Sequence, residues 1–217
     1  VVFDFDGLIV DSETPIFRAS AAALAGLGHE LTVEAWATVV GHGEEDSFRA
    51  LQAAIGAEVD RAAYELAYAA QDRSWRDTVP ALPGVADLLA ALADAGIACG
   101  VASSSSAAWV EGHLERLGLR GRVGAVATAD RVGGRSKPAP DTYLLACAEL
   151  GARPARSVAL EDSAPGIAAA LAAGLVPVAV PSAITRHTDL GGAHHSVPDL
   201  THLDPVRLAA LIGPTRR

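Results

Sequence analysis

From Pro83 onward the chain alternates four times between a stretch with helical spacing and a short apolar run, an order that few folds accept. Residues 85–95 lead to 97–102, 107–117 to 123–128, 142–150 to 157–160, and 166–173 to 176–180. A fifth apolar run, residues 1–5, opens the chain. Strands that read as near-continuous apolar runs are covered on both faces, and helices between them make the sheet parallel. Residues 14–78 break this rhythm, because they carry only helical patterns. Thr14-Pro15 offers an N-cap and a first helical residue for a helix stopped near Gly28. Further helices fit 33–40, ended by Gly41, and 45–55. Asp60 is placed to cap a fourth helix, with Tyr64, Ala67, Tyr68, Gln71 and Trp75 on one face. The expected fold is α/β, with a core of residues 1–13 and 80–217 and an all-helical cap of residues 14–79 inserted after strand one. The tail from Pro181 is loop-rich, with a last helix near 205–212.

Half of the 217 residues are apolar, ample for a packed core. No apolar run is long enough to span a bilayer, so no membrane partner is expected. The formal net charge of −9 disfavours a nucleic-acid partner, which calls for a basic face. It does not disfavour a phosphate ester, because a bound cation reverses the potential inside a cleft. Cys99 and Cys147 lie in apolar segments without zinc spacing and read as buried small hydrophobes, in keeping with a reducing, cytoplasmic setting. No secretory signal precedes the first run, and with no Met in the chain a trimmed leader stays open. Sixteen arginines accompany a single lysine, Lys137, which suggests a position that needs a compact ammonium rather than a planar fork.

The polar residues collect at strand ends. The first run passes into Asp4-Phe5-Asp6-Gly7, the second into Ser103-Ser104-Ser105-Ser106, and the run 157–160 into Glu161-Asp162-Ser163. Ligands of open parallel sheets bind beyond the carboxyl ends of the strands. Carboxylates gathered there repel one another unless a divalent cation joins them, and hard oxygen ligands suit Mg²⁺. With that charge screened, and with Lys137 as a second cation, one Asp can attack phosphorus and form an aspartyl phosphate. A second acid two residues on points elsewhere and can protonate the leaving oxygen, then activate water.

The string from Asp4 to Glu13, Asp4-Phe5-Asp6-Gly7-Leu8-Ile9-Val10-Asp11-Ser12-Glu13, resembles the first motif of the haloacid dehalogenase superfamily. Ser103, Lys137 in Ser-Lys-Pro-Ala-Pro-Asp, and Glu161-Asp162-Ser163 with Pro165-Gly166 match its second, third and fourth motifs, in order. The resemblance is strongest to the β-phosphoglucomutases and small sugar-phosphate phosphatases. It implies a Rossmann-like sheet of order 3-2-1-4-5 under a small helical cap. It further implies Asp4 as nucleophile and metal ligand, and Asp6 as general acid and base with its backbone carbonyl on the metal. Ser103 and Lys137 would hold phosphoryl oxygens; Asp162 would ligate Mg²⁺ directly, and Glu161 directly or through water. The choice of Ser103 within the serine run rests on the resemblance alone. In the mutase subgroup the segment matching Gly41, His42, Gly43 and Glu44 helps to choose the substrate.

The reading is a Mg²⁺-dependent phosphatase for a small phosphorylated metabolite such as a sugar, polyol or glycolate phosphate. A phosphomutase is the alternative within the family, weakened because the helical block holds no lysine for a second phosphate. A dehalogenase is disfavoured because a halide needs no proton from Asp6. A non-catalytic phosphate-binding or receiver domain is the alternative from another class, although receivers lack a helical insert after strand one. A dinucleotide module lacks its glycine fingerprint in Gly100-Val101-Ala102-Ser103. Elsewhere, Asp11 is read either as orienting the cap hinge or as binding nothing. Ser104 and Ser106 read as loop or N-cap residues, and Asp141 as the N-cap of the following helix. His42 with Glu44, Glu45 and Asp46 has the composition of a metal cluster but no helix-spaced His pair, and acids suit a helix start. His194-His195 reads as solvated loop, and Trp36, Trp75 and the tyrosines as cap core. Nothing in the sequence fixes an oligomeric state; a monomer is compatible with it.

Overall fold

A computed structural model describes residues 1–42 and 44–212, and of Glu44 and Glu45 the backbone alone. Its centre is a parallel sheet of order β3-β2-β1-β4-β5-β6. The strands are β1 (Val2–Phe3), β2 (Gly100–Ser103), β3 (Ala125–Thr128), β4 (Val158–Glu161), β5 (Val176–Ala179) and β6 (His195–Ser196). The expected five-strand order holds, and β6 adds an edge. That addition corrects the loop reading of His195. Val178 of β5 pairs in parallel with His195, and both residues of β6 are exposed. An edge strand of two polar residues has no hydrophobic pattern to betray it; the open side of β5 makes it.

The strands β2 to β5 are interleaved with α5 (Val85–Asp94), α6 (Ala107–Arg116), α7 (Asp141–Glu149) and α8 (Ala164–Ala172), and α9 (Pro205–Leu211) follows. The pleat divides the sheet's apolar residues between two clusters. Phe3, Val101, Leu160 and Val178 join Leu88, Leu89, Leu92 and Leu114 on one side. Val2, Ala102, Ala127 and Ala159 meet Tyr143, Cys147 and Ala170 on the other. The second side is built of small residues, so α7 and α8 approach the sheet closely. Cys99 and Cys147 are free and buried, as read from their apolar surroundings.

Between β1 and α5 lie α1 (Glu13–Gly26), α2 (Val33–Ala37), α3 (Glu44–Ile55) and α4 (Arg61–Ala69). They share a separate cluster of Leu24, Leu31, Trp36, Val40 and Leu51, into which Ile184 from beyond β5 inserts. Local capping explains two of these starts: Thr32 accepts from the Ala35 N–H at 3.2 Å and Asp60 from the Ala63 N–H at 2.7 Å. Three details depart from expectation. Helix α1 begins one residue ahead of Thr14, because the Asp11 carboxylate accepts from the Thr14 N–H at 3.1 Å; Asp11 therefore has a structural role. Helix α4 stops at Ala69, so Gln71 and Trp75 are not on it; Trp75 packs instead against Trp109 of α6, ring centroids 6.0 Å apart. Asp141 is the first residue of α7 rather than its N-cap, and its carboxylate pairs with Arg135. No described helix is long and apolar enough to cross a membrane.

Candidate active site

The end of β1 is held in the sheet one residue further, where the Asp4 N–H donates to the Leu160 carbonyl at 2.9 Å. The chain then turns sharply at Gly7, whose φ is +85°. A Cβ there would stand 2.2 Å from Asp162 Oδ2, so both the left-handed backbone and the close approach demand glycine. A comparable cradle exists at Gly166 in α8, where a Cβ would fall 2.0 Å from the Glu161 carboxylate. The end of β4 is thus pressed against the turn after β1 and against α8, and Asp4, Ser103, Lys137, Glu161 and Asp162 are all buried.

Lys137 reaches this floor from the loop after β3. Its Nζ donates to Asp4 Oδ1 and, at 2.6 Å, to Glu161 Oε1. Glu161 is fully committed: Oε1 also accepts from the Tyr143 hydroxyl at 2.6 Å, and Oε2 from the Ser163 N–H and hydroxyl at 3.2 and 3.1 Å. Asp162 is not. Its Oδ1 is buried without a partner, and Oδ2 accepts from the Thr185 hydroxyl at 3.4 Å, with Ser182 also favouring its charged form. Burial pushes the Asp4 carboxyl up to about 8; Lys137 opposes the shift, while Glu161 and Asp6 add to it. Asp162 is raised by burial too, then by the charges of Asp4 and Glu161. Lys137 is held protonated despite its burial by those same acids.

The Asp6 side chain takes another direction. It accepts from Ser12 Oγ at 2.8 Å and Trp109 Nε1 at 2.9 Å through Oδ1, and from Ser105 Oγ at 2.7 Å through Oδ2. Ser103 Oγ lies 3.4 Å from Oδ2 and accepts from the Ser105 N–H at 3.0 Å. Ser106 caps α6, as expected, by accepting from the Trp109 N–H at 3.4 Å. Sequence reasoning missed Ser105, Trp109 and Tyr143. Only the length of the serine run hinted at the first; the other two are brought in by helix placement.

Above the floor is a cavity of about 500 Å³. Asp4, Asp6, Ser103 and Lys137 line it together with Glu13, Trp36, Tyr64, Tyr68, Arg61 and Arg76. Trp36, Tyr64 and Tyr68 therefore face a cavity rather than serving as packing alone, and Tyr143 belongs to the core. The lack of lysine in the helical block does not leave the cavity without further cations, because Arg61 and Arg76 supply them; Arg61 pairs with Glu65 at 2.7 Å. Gly41 and His42 also line the cavity, and the Gly41 carbonyl accepts from Ser104 Oγ at 3.4 Å. Gly43 and the Glu44 side chain lie outside the described residues. Asp46 forms an exposed pair with Arg49 at 3.4 Å, as befits a helix start.

The donor set fits a hard divalent cation. Asp4, Glu161 and Asp162 each offer a carboxylate oxygen, all within 4.8 Å of one another, and this is the one such group among the described residues. The orphaned Asp162 Oδ1 is the atom most in need of a ligand.

This constellation is that of the haloacid dehalogenase-like hydrolases, and the profile of that family matches residues 1–174. The chain belongs to the family and is an enzyme of the phosphoric monoester hydrolase type. YhcW of Bacillus subtilis (strain 168) is 37% identical over 188 residues, covering 85% of this chain and 84% of that protein. Hexitol phosphatase B of Escherichia coli (strain K12) is 31% identical over 201 residues, covering 83% and 82%. Among solved structures, CbbY from Rhodobacter sphaeroides in complex with phosphate superposes with a TM-score of 0.76 at 29% identity, covering 95% of this chain and 97% of that one.

Proposed function

We propose that the chain is a Mg²⁺-dependent phosphatase for a small phosphorylated metabolite, working through an aspartyl phosphate on Asp4. The observation that carries this is the division of labour between two acids one residue apart. Asp4 is turned to Lys137 and the metal-type cluster, and Asp6 to Ser105 and Trp109. The sugar and polyol reading is supported by relatives named as hexitol and fructose-1-phosphate phosphatases.

Asp4, Asp162 and the Asp6 backbone carbonyl would hold Mg²⁺, with Glu161 acting through water because Lys137, Tyr143 and Ser163 occupy its oxygens. When bound, the cation neutralises phosphoryl charge beside Asp4. Lys137 adds a second positive charge, and Ser103 offers a hydroxyl to a phosphoryl oxygen. An Asp4 oxygen attacks phosphorus, the bond to the leaving oxygen breaks, and protonated Asp6 gives that oxygen its proton. Asp6 then takes a proton from water, the water oxygen attacks phosphorus, and Asp4 and inorganic phosphate are released. Residues 14–79 act as a cap over a core of 1–13 and 80–217, closing to exclude bulk water, with Gly41, His42, Gly43 and Glu44 helping to choose the substrate. A cytoplasmic setting fits the two free, buried cysteines.

The test is hydrolysis of an aryl phosphate and a panel of sugar and polyol phosphates, with Mg²⁺ and with chelator. Turnover that requires Mg²⁺ and vanishes in Asp4→Asn supports the reading; folded protein inert on the whole panel refutes it. Arg61 and Arg76 keep the phosphomutase alternative in view. It would show as net transfer between positions of a sugar phosphate without release of phosphate.

A further inference from the structure

Beyond β5 the chain makes a turn that touches two places at once. The Val180 N–H donates to the Glu161 carbonyl at 2.7 Å, so the turn starts beside the acids of β4. Ser182 and Thr185 then close on each other in the manner of a capping box. The Ser182 N–H donates to Thr185 Oγ1 at 2.9 Å, the Thr185 N–H donates to Ser182 Oγ at 3.1 Å, and the two hydroxyl oxygens lie 2.9 Å apart. Both residues are buried. With Ser182 supplying the hydrogen between the hydroxyls, the single Thr185 proton is left for Asp162 Oδ2 at 3.4 Å. Asp162 is thus held by one oxygen, while its buried Oδ1 has no partner and the residue belongs to the metal-type group with Asp4 and Glu161.

The same turn is also fastened to the helical block. Ile184, next to Thr185, is buried in the cluster of Leu24, Leu31, Trp36, Val40 and Leu51, and the turn packs on α2. Among the described residues, Ile184 is the one member of that cluster from outside the block. The block meets the acids a second time at Gly41, where a Cβ would fall 2.5 Å from Ser163 Oγ, the hydroxyl that donates to Glu161. Groups behind a metal ligand fix its orientation, and losing one weakens metal binding. Here the group behind Asp162 keeps its place only while its neighbour is seated in the block.

We propose that Thr185 is a positioning residue for the metal ligand Asp162, and that Ile184 ties this support to the helical block, so that cation binding and docking of the block favour each other. The proposal rests on the metal reading of the site. The coupling is reciprocal by linkage: a cation that binds better with the block docked also holds it docked.

The test titrates the metal-free protein with Mn²⁺, a hard cation suited to carboxylates, counting the free ion by electron paramagnetic resonance without substrate. Thr185→Val, which removes the hydroxyl and keeps the branched shape, is expected to weaken binding about tenfold or more. Thr185→Ser, which restores the hydroxyl, is expected to bind as the parent does. Ile184→Ala touches no ligand and is expected to weaken binding about fivefold, with Ile184→Val a milder deletion in the same direction. In the Thr185→Val background, Ile184→Ala should add no further loss, because the link is already cut. Saturating Mg²⁺ should slow amide exchange at residues 33–40 in the parent and not in Thr185→Val. Unchanged affinity in Thr185→Val or in both Ile184 variants overturns the proposal alone. So do a Thr185→Ser as weak as Thr185→Val, losses that multiply in the double variant, and equal protection of residues 33–40 in parent and Thr185→Val. A parent that binds no Mn²⁺ removes the metal reading first, and this inference with it.

Discussion

Lys137 shows why a single residue type can be indispensable in a chain that otherwise prefers arginine. Its ammonium is buried and donates to two carboxylates that belong to different strand ends, Asp4 after β1 and Glu161 at the end of β4. A guanidinium is a planar fork and cannot present one point charge to both. Lys137→Met keeps the stem but leaves two buried acids without their cation, which costs about 3 kcal/mol or more in the metal-free protein. Activity should fall at least about a hundredfold, because a preorganised positive charge at the reacting phosphoryl is lost. Urea denaturation in chelator and steady-state kinetics in Mg²⁺ read the two effects. Lys137→Arg should fail to restore activity; full rescue would show that the charge matters and its shape does not. The lone lysine stood out in composition, and the acids at strand ends stood out by their position after apolar runs. Glu13, Trp36, Ser105 and Trp109 did not, because only tertiary placement turns those side chains toward the cavity or toward Asp6.

The helical elements were legible wherever the signal was local. Asp60 and Ser106 each cap the helix that their sequence position suggested. What could not be read were features decided by a neighbouring element: β6, which exists because β5 offers an open edge, and Trp75, drawn from the helical pattern of α4 onto Trp109. Helix α4 is the element most dependent on its cap, since none of its residues is buried. It also presents Arg61, Tyr64 and Tyr68 to the cavity. Asp60→Ala should therefore destabilise by about 1 kcal/mol and raise KM more than it lowers kcat. Urea denaturation and kinetics on a hydroxylated phosphomonoester measure this. An unchanged KM would mean that α4 does not help to form the substrate site.

At the scale of the whole molecule, the fold concentrates negative charge where it is least tolerated. Asp4 and Glu13 are pushed up to about 8, and Asp162 is raised as well, in each case by burial first. An acid whose folded pKa lies above its unfolded one holds more protons when folded. Stability of the metal-free enzyme should therefore fall as pH rises from about 4 to about 8. Mg²⁺ binds the ionised acids of the folded state alone, so its stabilising effect should be larger at about pH 8 than at about pH 5. Thermal unfolding in chelator and in Mg²⁺ across that range tests both statements. A metal-free midpoint that rises with pH over the same window would contradict them. This coupling also explains the division between what was readable and what was not. The sheet order follows from the alternation of elements and the resemblance, but how tightly the acids crowd depends on close approaches such as Gly7 to Asp162.

The central claim is that Asp4 is the nucleophile and Asp6 the acid and base, and a covalent adduct tests it most directly. In Asp6→Asn, an aryl phosphate needs no proton for its leaving group, so the first step proceeds while hydrolysis of the phosphoenzyme slows. Rapid acid quenching followed by mass spectrometry of the peptide that contains Asp4 should find phosphate on that residue. Turnover of the aryl phosphate with no adduct, or an adduct on another residue, would contradict the account.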